Sequence, residues 1–317
     1  MTISPGDRLS VTLVLSANAR HVSKNLEAGV RWKFLVTVLE LFRGVHLLAY
    51  KRLPLLTWTR KGGSMTEFEE AEVSTYQVCG VPIMATSLQM ASMRLRGAAV
   101  AGRKQEVHLC NAYTLSLLHR DRRLKAILLR ADLNLPDGVP VAWLGRQHGV
   151  SGPVRGPSLI TRVMEDDVRG RLRHYLYGGA QGVAPDMASA LISRFPRTVI
   201  VSTETPPYHD LDEHELNRLV DRIKDSEANM VWVGLGTPRQ DYLVPRLSSC
   251  LNMPIVPIGA AFDFLSGRVK EAPRWLRGTG FEWLYRFTKE PKRLWRRYLL
   301  GNPRFIWHAT KERWGSQ

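Results

Sequence analysis

The turn Pro136-Asp137-Gly138 separates two apolar runs in ADLNLPDGVPVAWLG, and a carboxylate presented on such a turn can serve as a general base. Asp-Gly is also a favoured turn pair and Asp a favoured helix cap, so the local sequence supports a structural reading equally well. A second polar set follows in VWVGLGTPRQDYL, where Gly234 and Gly236 close an apolar run ahead of Arg239 and Gln240. Glycines there let backbone approach a phosphate, and the two long polar side chains supply donors. The plainer alternative is a tight strand-to-helix turn with Pro238 at the first helical position. A dinucleotide fingerprint would need a third glycine where Arg239 stands, so no nicotinamide cofactor is expected. Walker, nucleophile-elbow and HExxH sequences are absent, which removes the usual support for phosphoryl transfer and triad hydrolysis. If a nucleotide sugar binds, the expected site holds no metal and uses Arg, Lys and backbone amides.

The elements that would position these residues follow from the alternation of the chain. EVHLC, ADLNLP, HYLYGG, TVIVST, NMVWVGLG and PIVPIGAAF have strand length, while TLSLLHRDRRLKAILLR, APDMASALISRF and DEHELNRLVDRIKDS have helical spacing. Strand and helix in alternation predict an α/β fold: a Rossmann-like parallel sheet flanked by helices, with ligands held at the carboxyl ends of the strands. Asp137, Gly234 and Gly236 all fall at such ends. Three regions are expected: an N-terminal extension over 1–75, basic and amphipathic; an α/β core over 76–267; and a C-terminal basic aromatic helical appendage over 268–317.

Charge narrows the class of partner. The 317 residues carry a net +16, and the segment from Arg268 onward has 13 Lys and Arg against 4 Glu, so +9 of that excess lies in the last fifty residues. These cations are interleaved with Trp275, Trp283, Tyr285, Trp295, Tyr298 and Trp307. The mixture suits an anionic membrane interface, suits nucleic acid equally, and also fits an ordinary amphipathic helix packed on a core. Cys79, Cys110 and Cys250 lie far apart with no ligand spacing, which indicates reduced thiols rather than a zinc site. The apolar run from Trp32 is broken by Lys33, Glu40, Arg43 and His46, so it reads as an amphipathic or core helix rather than a membrane span. No secretory signal pattern is visible, and a cytoplasmic location is expected.

An ordered set of segments resembles the WecG/TagA/CpsF glycosyltransferases, glycosyltransferase family 26. They are Asn111 in HLCNAYTL, Pro136-Asp137-Gly138, Arg155 in VRGPSLI, YGG at Tyr177, GLGTPRQD at Gly234, GAAFDFLSG at Gly259, EAP at Glu271 and FEWLYRFTKEPKR at Phe281. The resemblance implies an inverting, cofactor-free transfer from a UDP-sugar to a polyprenyl-diphosphate-linked saccharide at the inner face of the cell membrane. It implies a peripheral enzyme of cell-envelope or exopolysaccharide synthesis, with no nucleic-acid partner. It makes Asp137 the general base and Arg155 a diphosphate contact. Asn111, Thr114, Gly138, Tyr208, Gly236, Arg239, Gln240 and Asp263 become substrate-binding candidates. Arg286 and Arg293, in the appendage, are phosphate contacts by the same resemblance, which gives that segment a role in holding the membrane and closing the site. The rival reading from composition is a non-enzymatic, basic nucleic-acid-binding α/β protein. The chain departs from the family pattern at Leu109, at Asp241 where Glu is usual, at Glu271 where Arg is usual, and at TPPYHD around Tyr208, where members using N-acetylmannosamine tend to show Gly-Tyr-Phe.

Overall fold

A computed structural model describes residues 74–273, 276, 282–289, 291, 295 and 301–315. Strands β1 (Thr75–Val78) and β2 (Val81–Met84) form an antiparallel hairpin whose turn, Cys79-Gly80, has φ of 55° and 70°. Two left-handed residues give the turn the twist that a two-residue hairpin needs. This hairpin lies outside the predicted strands.

The predicted core strands all form. They are β3 (Gln105–Cys110), β4 (Leu133–Pro136), β5 (Arg173–Gly178), β6 (Val199–Glu204), β7 (Met230–Gly234) and β8 (Pro254–Pro257), parallel in the order β4-β3-β8-β7-β5-β6. Helices α1 (Leu88–Val100), α2 (Ala112–Leu117), α3 (Arg122–Arg130), α4 (Val139–Leu144), α5 (Gly156–Asp166), α6 (Val183–Arg194), α7 (Glu213–Asp225), α8 (Arg239–Ser248) and α9 (Ala261–Leu265) connect them. The sequence predicts one helix over TLSLLHRDRRLKAILLR, but two are found. Asp121 interrupts it, its side chain accepting the Leu124 N–H at 2.8 Å and starting α3 afresh.

Strand alternation sorts the core into two layers. Leu176, Trp232 and Val256 face α1, α5 and α6 on one side of the sheet. Tyr175, Tyr177, Val231, Val233 and Ile255 face α7 and α8 on the other. Under β4 and the hairpin, a third cluster joins Tyr76, Ile83, Leu115, Leu124 and Leu128. Asn134 of β4 donates to the carbonyls of Pro82 and Leu128, tying the hairpin beside the sheet edge.

Two features set the floor of the site. Strand β5 leads to β6 on one side, whereas its neighbour β7 leads to β8 on the other, so their carboxyl ends form a topological switch point. There Gly178 pairs with Gly234, and a Cβ on Gly178 would overlap the Gly234 backbone. At the C-terminal end, α10 (Glu282–Lys289) and α11 (Asn302–Gly315) are helical. Helix α11 packs on α2: Phe305 is buried with Leu115 and Leu118, the His119 and His308 rings stack at 5.3 Å, and Gly301 lies close against Tyr113 and Ser116. Among the described residues no helix is long and apolar enough to cross a membrane.

Candidate active site

The carboxyl ends of β4, β3, β8, β7 and β5 carry, in that spatial order, Asp137, Asn111, Gly259, Gly236 and Gly179. With strands about 4.8 Å apart, Asp137 and the β7 glycines are separated by about 14 Å along the sheet edge. A sugar joined to a nucleoside diphosphate is an extended molecule that suits a crevice of this length.

Asp137 follows β4, and its N–H donates to the Cys110 carbonyl at 3.1 Å, so the turn is pinned to β3. Gly138 has φ of 81°, a conformation that glycine supplies without strain, and it leads directly into α4. Asn111 begins α2. Its Oδ1 accepts the N–H groups of Tyr113 and Thr114 at 3.1 Å each and the Thr114 hydroxyl at 3.3 Å. With the oxygen so engaged, the amide nitrogen is directed to the Asp137 Oδ2 at 3.1 Å. Asn111 is therefore both a helix cap and a clamp on the carboxylate. Thr114 is fully buried and supports Asn111 from behind.

Arg155 precedes α5, beside the same turn, because Val154 N–H donates to the Pro136 carbonyl at 2.7 Å. Its Nη2 lies 2.9 Å from Glu271 Oε1 and 2.7 Å from Glu282 Oε2. Arg155 thus joins the core to α10, with Glu271 and Glu282 as its partners among the described residues. Gly156 is held against β8, since a Cβ there would come 2.9 Å from the Ile258 carbonyl oxygen.

At the β7 end of the crevice, Gly236 adopts φ of 76° and donates its N–H to Gln240 Oε1 at 3.1 Å, while Gly259 lies against the same amide. Gln240 is buried and joins the turn after β7 to the turn after β8. Pro238 stands one residue before α8 rather than inside it. Arg239 pairs with Asp210 at 3.0 Å and donates to the His209 carbonyl at 2.8 Å. Asp210 and Asp212 have an Asp-x-Asp spacing, but the first carboxylate holds Arg239 and the second caps α7. Tyr208 is 93% exposed in the loop after β6. Asp263 is half-buried in the first turn of α9. Arg286 belongs to α10, but its side chain and all of Arg293 lie outside the described residues, as do residues 1–73 of the expected N-terminal extension. A cleft of about 120 Å³ between the loop after β6 and α8 is lined by Arg123, Tyr177, His209, Arg239, Tyr242 and Arg246, without Asp137 or Asn111.

A buried polar group also lies under the site. His108 of β3 is fully enclosed, its Nδ1 3.1 Å from Asp241 Oδ1 and its Nε2 3.3 Å from Glu106 Oε1. Burial alone would lower the His108 pKa; hydrogen bonds and charge from the two carboxylates outweigh it and raise it. Burial pushes the Cys110 thiol well up, helped by the charges of Asp241 and Asp137. Neither His108 nor Glu106 is among the residues singled out from sequence. The legible signal was the alternation in EVHLC, which puts Glu106, His108 and Cys110 on one strand face.

Comparison with known proteins gives the family. The model of the glycosyl transferase WecG/TagA/CpsF family matches residues 76–317. The chain is 29% identical over 192 residues to an N-acetylglucosaminyldiphosphoundecaprenol N-acetyl-beta-D-mannosaminyltransferase of Bacillus spizizenii, covering 60% of this chain and 72% of the relative. It is 26% identical over 196 residues to a protein of the same description from Bacillus subtilis, covering 61% and 74%. A family match across most of the chain, on a parallel sheet with a clamped aspartate at its edge, makes the protein a member of the WecG/TagA/CpsF glycosyl transferase family.

Proposed function

We propose that this glycosyltransferase moves a sugar from a UDP-sugar to a polyprenyl-diphosphate-linked saccharide, with inversion at the anomeric carbon and with Asp137 as general base. The acceptor class follows the relatives, whose names specify an N-acetylglucosaminyl-diphosphoundecaprenol acceptor. The observation that carries the assignment of the base is the hydrogen bond from Asn111 Nδ2 to Asp137 Oδ2. It fixes one carboxylate oxygen and leaves the other to accept a proton.

In a single displacement the acceptor hydroxyl attacks the anomeric carbon opposite the departing UDP, and one base within hydrogen-bond reach is sufficient. The departing diphosphate gains negative charge that fixed dipoles must meet. The turns after β5 and β7 lead into the N-terminal ends of α6 and α8, whose helix dipoles favour an anion there. Gln240 holds the second of these turns in shape. Arg155, Arg286 and Arg293 are assigned to the acceptor diphosphate, in a reaction that needs no cofactor or metal. The exposed Trp307 and Ile306 of α11 and the basic C-terminal segment are assigned to the membrane surface. As a glycosyltransferase, the chain leaves the non-enzymatic nucleic-acid reading without support.

The test is transfer from a panel of radiolabelled UDP-sugars to a synthetic polyprenyl-diphosphate N-acetylglucosamine. Asp137→Asn is expected to lose about 10²–10⁴-fold in kcat while still binding UDP. Full activity in that variant would remove Asp137 as the base. The same panel identifies the donor sugar: the relatives' names point to N-acetylmannosamine, while the TPPYHD segment around Tyr208 departs from the pattern of members that use it.

A further inference from the structure

Arg155 meets two carboxylates at the place where an acceptor diphosphate is assigned to it. Its Nη2 donates to Glu271 Oε1 at 2.9 Å and lies 2.7 Å from Glu282 Oε2, and the three side chains are 18–19% exposed. The guanidinium belongs to the residue after Val154, whose N–H donates to the Pro136 carbonyl beside Asp137. Carboxylate and phosphoryl oxygens are alternative partners for a guanidinium, which matches both with the same fork of donors. An N–H held by one cannot at the same time donate to the other. The two carboxylates differ in how they are carried. Glu282 is in the first turn of α10, whereas Glu271 lies on a segment without regular structure between α9 and α10. Glu271 can therefore turn away while Glu282 stays in place.

We propose that Glu271 is a specificity-determining residue that stands in for the acceptor diphosphate: it occupies Arg155 between turnovers, yields the guanidinium to the diphosphate when acceptor enters, and takes it back when product leaves. Glu282 keeps the arginine aligned throughout. No covalent bond changes in this exchange; one anionic oxygen replaces another on the same N–H. Affinity for the diphosphate is lowered by the fraction of time that Arg155 is held by Glu271, so the strength of this one ion pair sets the acceptor KM. The product carries the same diphosphate as the acceptor, and the carboxylate that resists entry therefore also opposes retention. UDP, bound along the β7 end of the crevice, does not meet this competition.

This inference rests on Arg155 as the diphosphate contact, and the experiment keeps the two claims apart. Transfer by the full chain to a short-chain polyprenyl-diphosphate N-acetylglucosamine is measured for wild type, Glu271→Gln, Arg155→Gln and the double variant, together with the Kd of UDP. Glu271→Gln is expected to lower the acceptor KM by about threefold to tenfold and to strengthen inhibition by product by a similar factor, with the Kd of UDP unchanged. Glu271→Asp, which keeps the charge one methylene short of the guanidinium, is expected to move both constants in the same direction and serves if the Gln variant fails to fold. In the Arg155→Gln background the change at position 271 is expected to have no effect on KM, because the residue for which Glu271 competes is gone. A merely structural ion pair predicts the reverse: KM rises, or kcat is lost, as stability falls. An acceptor KM that is unchanged or raised in both position-271 variants overturns the proposal, as does a fall that persists without Arg155. If Arg155→Gln itself leaves the acceptor KM at the wild-type value, the assignment of the diphosphate to Arg155 fails instead.

Discussion

Asn111 shows how one side chain can hold two parts of a site. Its oxygen caps α2 and its nitrogen clamps Asp137, so a substitution that separates these tasks is informative. Aspartate caps a helix as well as asparagine but cannot donate to a carboxylate. Asn111→Asp is therefore expected to leave the melting temperature nearly unchanged while kcat falls on the order of tenfold or more, as two carboxylates compete for one place. Equal activity, measured with the labelled donor, would show that the clamp does not matter. At this scale the sequence made Asp137 legible as a candidate, because it sits at a strand end in order with other motifs. Its holder was less legible. An asparagine at a strand end reads equally as a substrate contact, and only the position of Thr114 behind it shows where the amide points. Glu106 and His108 were placed on one face by the alternation of EVHLC but not singled out, for a related reason: polar residues in an apolar strand gain meaning only when the helix above supplies Asp241.

At the scale of elements, the close approach of β5 and β7 makes two demands on the sequence. Gly178 and Gly234 are paired without room for a side chain, and a Cβ on Gly234 would overlap the Phe262 ring. Gly234→Ala is expected to destabilise the protein by about 1–3 kcal/mol through overpacking, measured by urea unfolding, and to weaken UDP binding at the same time. The same strand pair carries His174, whose Nδ1 accepts the Trp232 indole N–H at 3.1 Å. Burial pushes the His174 pKa down to about 4, only partly opposed by Asp167. Below the ordinary pKa of about 6.5 the unfolded chain takes a proton that the folded protein refuses, so stability falls as pH drops from about 6.5 toward 4, by up to about 3 kcal/mol. His174→Gln is expected to remove that part of the pH dependence, seen by comparing urea midpoints at pH 7 and pH 5. The six core strands were readable from apolar runs of strand length. The hairpin of β1 and β2 was not, because its turn uses Cys79 in a left-handed conformation that no turn rule favours. The break between α2 and α3 was hidden for the opposite reason: periodicity continues across Asp121, and the cap that divides the helix is a single polar residue.

At the scale of the whole molecule, Arg155 is the tie between the core and the C-terminal segment. It shares two carboxylates, and all three side chains are largely shielded. Replacing both Glu271 and Glu282 by Gln would leave the guanidinium without these partners and is expected to lower the melting temperature by a few degrees, with a larger fall in a low-salt buffer than in a high-salt one. Identical melting at both salt concentrations would show that the tie contributes nothing. The charge of Glu271 was legible as a departure from the family pattern. Its attachment to Arg155 was not, since 116 residues separate the two.

Helix α11 rests on α2, and α2 is the helix that Asn111 caps. Helix α11 is therefore a lever whose short arm reaches the Asp137 carboxylate, and the enzyme should sense its footing as well as its substrates. Removing residues 302–317 is expected to slow turnover even on a short-chain, water-soluble acceptor that needs no bilayer to reach the site. A protein lacking α11 that keeps its full kcat on that acceptor would reduce the segment to an anchor; a slowed one would make it a throttle.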